Sequence, residues 1–200
     1  VTYKPAAGSE HGGSSSSGVI VQDTAWRPYD DHLRFEGFVL QFTDTNGLQP
    51  RYGSGQTFDS LIIEQPSGNG IYSSIAAGTS SAPNVVSNCR ITTDQICIWV
   101  RITSNPSANW KIINNTLSQT GSSSSRALFF TPSTGSIDAD ITNNLILEAG
   151  RDYEAQAGTI SVSGSNNFGP RTNASYPFPA AIQGSFFNDT ATTETSPGAG

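Results

Sequence analysis

The chain predicts an all-β domain, an antiparallel β-sandwich or barrel with long decorated loops, on three observations. Short apolar segments recur with turn residues between them. Ser, Thr, Gly and Asn crowd the composition, and 20 Gly with 11 Pro leave no room for a long helix. Ser, Thr and Asn compete for backbone hydrogen bonds and Gly adds backbone entropy, so this composition favours turns and half-exposed strands.

The apolar segments, in order, are 19–21, 33–42, 58–63, 71–76, 84–91, 96–102, 110–117, 127–130, 137–147, 159–162 and 181–187. The clearest is Ile96–Ile102, in which Ile96, Ile98, Val100 and Ile102 fall on one face by the two-residue period of a strand and are expected in the core. No internal repeat is legible, which argues against propellers and solenoids. Residues 1–17 and 188–200 are too poor in apolar side chains to offset the entropy of ordering and read as linkers around a domain at 18–187.

The chain has no Met, two Lys (Lys4 and Lys111) and a formal charge of −6, with a sequence pI near 4.7. The missing Met reads as the mark of an excised or processed segment. The acidic balance opposes binding to phosphate backbones and anionic lipid, so neither nucleic acid nor membrane is an expected partner. No apolar run is long enough to span a bilayer.

Cys89 and Cys97 lie symmetrically about Thr93, so a hairpin turning at Thr92-Thr93-Asp94 sets them opposite each other and permits a disulfide. Two reduced, buried thiols are the alternative.

Catalytic templates are missing: no Gly-x-Ser-x-Gly elbow, no HExxH and no phosphate loop, so neither enzyme activity nor a cofactor or metal is expected. His32 follows Asp30 and Asp31, but three adjacent residues rarely converge on one ion. Glycoside hydrolysis needs two facing carboxylates, for which Glu36, Glu64, Asp138, Asp140, Glu148, Asp152 and Glu154 are available without a sequence reason to pair any two. Three sequons, at Asn114, Asn173 and Asn188, match the number chance gives in so Asn-rich a chain.

The loop aromatics say more. Trp26 and Tyr29 sit in a Pro-containing stretch with Arg27, Asp30 and Asp31; Tyr52 follows Pro50; Tyr176 and Phe178 alternate with Pro177 and Pro179. Pro-stiffened loops present aromatic rings at low entropic cost, and rings beside Asp and Arg suit sugars or protein epitopes. These eight residues are the candidate binding site. Trp99 and Trp110 read as packing residues on strands.

The Gly/Ser/Thr/Asn-rich sandwich, the Pro-stiffened aromatic loops and the Thr/Ser/Pro/Gly-rich exit at TATTETSPGAG together resemble the protruding or spike domains of non-enveloped virus capsids of the astrovirus, hepevirus and calicivirus kind. That resemblance implies an extracellular, virion-surface domain, a homodimer or other symmetric oligomer, that attaches to a host glycan or protein receptor and carries epitopes. The other open readings are a monomeric lectin-like module of a secreted protein or adhesin, and a filament subunit donating its 19–21 edge strand.

Overall fold

Several of the apolar runs contain or end in a residue with left-handed backbone. Gly37, Ser60, Asn88, Asn114, Asn143 and Asn166 have φ of 75°, 52°, 55°, 57°, 56° and 57°. Gly has no Cβ to clash there, and Asn tolerates the region through local hydrogen bonds of its short side chain. Such a residue swings the chain through a corner, so one run becomes two strands on two different walls.

The computed structural model describes residues 1–23, 25–65, 67–74, 78–103, 107–121, 124–148, 150–156, 158–169 and 179–182. The leading rung holds β1 (Thr2–Tyr3) and β2 (Ile20–Asp23). Successive coils then run through β3 (Arg34–Glu36), β4 (Val39–Phe42) and β5 (Asn46–Leu48); β6 (Thr57–Asp59), β7 (Ile62–Gln65) and β8 (Asn69–Ser73); β9 (Asn84–Ser87), β10 (Arg90–Thr93) and β11 (Ile96–Ile102); β12 (Ser107–Ile113), β13 (Thr116–Gln119) and β14 (Arg126–Pro132); β15 (Ser136–Thr142), β16 (Leu145–Glu148) and β17 (Arg151–Ala155); and a last strand, β18 (Thr159–Ser165). A short 3-10 turn at Ala180–Ile182 follows.

Every strand pairs in parallel with its counterparts one coil before and after, which gives three walls. The first wall has seven strands (β1-β3-β6-β9-β12-β15-β18), the second six (β16-β13-β10-β7-β4-β2) and the third five (β17-β14-β11-β8-β5). The result is a parallel β-solenoid of about five coils, which overturns the antiparallel sandwich or barrel. Strand placement was largely legible, but the corners were not, because apolar patterning continues straight through them. The repeat was hidden because its length varies. Corner residues in hydrogen-bonding contact across neighbouring coils are separated by 26, 29 and 23 residues.

The interior is one apolar column of stacked rows. In one row Phe35, Phe58, Val86, Ile112 and Ile141 lie in register on successive strands of the first wall. Ile98, Val100 and Ile102 point inward and are buried, as the two-residue period requires, whereas Ile96, though buried, lies level with Arg126 outside the core column and Cys97 packs into the core in its place. Tyr3, Phe35 and Phe58 stack at 5.1 and 5.9 Å near the leading end. The segment read as an N-terminal linker contributes β1 to the first wall, and His11 Nε2 hydrogen-bonds the Ser60 carbonyl oxygen at 2.7 Å. The linker read at 188–200 lies outside the described residues.

One corner carries a buried polar ladder. Asn115, Asn144 and Asn167 follow the left-handed asparagines, point inward, and are at most 1% exposed. Each side chain bonds the next coil, and the last, Asn167, donates through Nδ2 to the carbonyl oxygen of Ile182 at 2.8 Å. Satisfying these groups inside the column is what keeps a buried carboxamide from destabilising it.

The hairpin expected around Thr93 does not form. β10 belongs to the second wall and β11 to the third, so Cys89, at the corner before β10, and Cys97, inside β11, are not opposed, and both are free and buried. Desolvation pushes the Cys89 thiol up to about 12 and raises that of Cys97 as well.

Candidate functional site

The loops leaving the third wall in the two leading coils, 26–32 and 49–56, lie one above the other and are laced together. Trp26 pairs with Leu48, the Gln49 N–H donates to the Trp26 carbonyl at 2.7 Å, and the Arg51 N–H donates to that of Pro28 at 3.0 Å. Buried Gln56 donates through Nε2 to the carbonyl oxygens of Asp30 (2.8 Å) and Pro28 (3.4 Å). The Asp31 carboxylate accepts from both the N–H (2.6 Å) and the hydroxyl of Ser54 (3.1 Å). Those two donors hold the Asp31 pKa below the usual aspartate value.

On this brace stand Tyr29 and Tyr52. Their rings are near-parallel, 20° apart in plane, with centroids at 6.2 Å, an offset arrangement that leaves both exposed. Tyr29 is 51% exposed and Tyr52 61%. Tyr52 also has φ of 58°, a conformation that bulky side chains avoid, and the Gly53 N–H closes a tight turn over it onto the Arg51 carbonyl at 2.7 Å. The loop holds a strained backbone that places an aromatic ring in solvent.

The other expected site residues divide. Arg27 and Asp30 are exposed at the same loop. Trp26 is half-buried and turned inward, its ring edge-on to Phe35 at 4.3 Å and to Phe38 at 6.2 Å, so it packs the leading end. Tyr176 and Phe178 lie outside the described residues.

The acidic residues are mostly committed. Arg34 bridges Glu36 and Asp59 at 3.0 and 2.7 Å, Arg90 lies 3.8 Å from Glu64, and Arg126 and Arg151 both hold Glu154. Asp138 and Asp140 face outward on β15, in a shallow hollow with Asn109 and Lys111, while Asp152 is buried. Among the described residues no three His, Cys, Asp or Glu cluster as metal ligands.

The outer face of the second wall shows a feature the sequence concealed. Gln22, Gln41, Glu64 and Thr92 occupy one register row on four successive strands and line a groove of about 580 Å³. Gln22 Nε2 donates to Gln41 Oε1 at 2.8 Å and Gln41 Nε2 to Glu64 Oε2 at 3.0 Å. Taken singly these are ordinary polar strand residues; only the coil register aligns them.

No protein-family model, curated protein or solved structure matches the chain.

Proposed function

We propose that this solenoid is an attachment surface for glycans, centred on Tyr29 and Tyr52. The observation that carries the reading is the pair itself: two large rings, each more than half exposed, held near-parallel on a cross-braced loop with strained backbone. Exposed rings cost hydration free energy without a partner, and strain survives where the surroundings enforce it. A sugar offers a C–H face to such rings and hydroxyls to their neighbours, here Asp30 and Arg27. The brace removes loop ordering from the cost of binding. Attachment here is binding without turnover.

A panel of immobilised oligosaccharides tests the reading. The intact chain should bind at least one, and Tyr29→Ala with Tyr52→Ala should weaken that binding about tenfold or more while thermal unfolding stays unchanged. Lys111→Ala, on the first wall, serves as the control. Undiminished binding by the double variant would sink the assignment.

A further inference from the structure

The outer face of the third wall is unlike the rest of the molecule. Tyr72, Trp99, Phe129 and Glu154 occupy one register row on β8, β11, β14 and β17. The three rings contact one another at 4.8 and 5.4 Å, and the Trp99 indole N–H donates to the Thr131 hydroxyl at 2.8 Å. Among the described residues of these strands, three guanidinium groups, those of Arg101, Arg126 and Arg151, share this face with the Glu154 carboxylate. Arg126 lies 4.4 Å over the Phe129 ring, and both it and Arg151 hold Glu154. Burial works against the Glu154 carboxylate, but hydrogen bonds from Arg126, Arg151 and Gln156 more than offset it, so its pKa lies below the usual range.

Arg101 is the exception. It is half-buried, its Nη1 reaches the Tyr72 hydroxyl at 3.5 Å, and it has no carboxylate partner among the described residues. In a chain of formal charge −6, this wall therefore carries excess positive charge beside two half-buried aromatic rings, Tyr72 and Trp99. A partly desolvated guanidinium without a counter-ion favours an incoming anion, and its planar fork matches a carboxylate or sulfate.

We propose that the third wall is a subsite for anionic glycan, in which Arg101 takes the acidic group of a sugar packed against Trp99 and Tyr72. This deepens the glycan reading above and rests on it. Arg126 lies over the Phe129 ring and is neutralised by Glu154, so the uncompensated charge on this wall is at Arg101, and the ring surface left open beside it is that of half-buried Trp99 and Tyr72.

The test is calorimetric titration of the full chain with four probes: a uronic acid oligomer, the same oligomer with its carboxyls reduced to alcohols, a sulfated oligomer of matched length, and a single-stranded oligonucleotide. The uronate oligomer should bind about tenfold or more tightly than its reduced form, and Arg101→Gln should abolish that preference while leaving affinity for the reduced form unchanged. A sulfated probe binding more tightly than the uronate identifies sulfate as the acidic group recognised by Arg101. Arg101→Lys, which keeps the charge and loses the fork, should fall between, and equal unfolding temperatures show that the variants are folded.

The Tyr29→Ala, Tyr52→Ala chain should retain the uronate preference, which separates this subsite from the tyrosine pair. Equal binding of charged and reduced oligomers, a preference surviving Arg101→Gln, or tighter binding of a single-stranded oligonucleotide would each overturn the proposal.

Discussion

Oδ1 of Asn144 accepts two hydrogen bonds from Asn115 in the preceding coil, from its backbone N–H at 3.0 Å and from its Nδ2 at 2.9 Å. Nδ2 of Asn144 in turn donates to the Ile112 carbonyl oxygen at 2.8 Å and to Oδ1 of Asn167 at 2.9 Å. One carboxamide thus joins three coils inside the column. Removing it leaves a buried N–H and a buried carbonyl without partners, each costing about 1–3 kcal/mol. Asn144→Ala should destabilise by about 3 kcal/mol in urea unfolding. Its neighbour Asn143, exposed and at φ 56°, should accept Gly with a change under about 0.5 kcal/mol. Equal costs at the two positions would show that the ladder is not a principal support of the corner.

The ladder also explains what the sequence disclosed. Asn114-Asn115 and Asn143-Asn144 stand inside two of the apolar runs and Asn166-Asn167 just beyond another, and each pair is one left-handed corner followed by one inward carboxamide. The pairs were visible, but Ser60-Leu61 and Asn88-Cys89 fill the same positions with different chemistry, so the repeat loses its signature in the leading coils. Inward strand residues such as Ile98 and Val100 follow from a two-residue period that holds whether strands are parallel or antiparallel, so the core was legible and the topology was not. At the site, Pro28 and Pro50 flagged loops that the fold brings together, and Tyr29 and Tyr52 meet there. Trp26 turned inward because its loop pairs with Leu48 in the next coil, a contact no local pattern encodes.

Cys89 occupies the ladder row one coil before Asn115. Its backbone N–H donates to Asn115 Oδ1 at 2.9 Å, and its sulfur faces the carbonyl oxygen of Phe58 at 3.5 Å. Asn144 Nδ2 and Asn115 Nδ2 bond the corresponding carbonyls of Ile112 and Val86. Cys89→Asn should therefore extend the ladder and raise stability by about 1 kcal/mol, whereas Cys97→Asn, inside β11 among core side chains with no asparagine in its row, should lower it. Both native thiols should resist a thiol reagent at mildly alkaline pH and react after denaturation without reductant. Loss of both signals in the denatured chain would instead indicate a disulfide.

Tyr52 separates function from stability. A side chain at φ 58° costs about 1–2 kcal/mol relative to Gly, partly offset by the extra freedom Gly gains on unfolding. Tyr52→Gly should unfold at equal or higher denaturant concentration than the native chain and bind glycan about tenfold or more weakly. A destabilised Tyr52→Gly would mean that the ring supports its loop and is not displayed by it.

Asp152 gives the fold a pH dependence. On β17 it stands level with Ala127 of β14, a fully buried core residue, and Gly169 passes so close to its carboxylate that a Cβ there would collide with it. Burial pushes its pKa from 3.8 up to about 7. Below the ordinary value the acid is protonated in both folded and unfolded chains, and its charge imposes no penalty. Between that value and 7 the unfolded chain has released the proton while the folded one retains it, so stability falls as pH rises. Above 7 the full cost of ionising in place is present. Asp152→Asn, which keeps the shape and cannot ionise, should match the native chain near pH 3 and exceed it by on the order of 3 kcal/mol near pH 8. Urea unfolding of both chains across that range measures the difference directly; a gap that stays constant with pH would place the Asp152 carboxylate in contact with water.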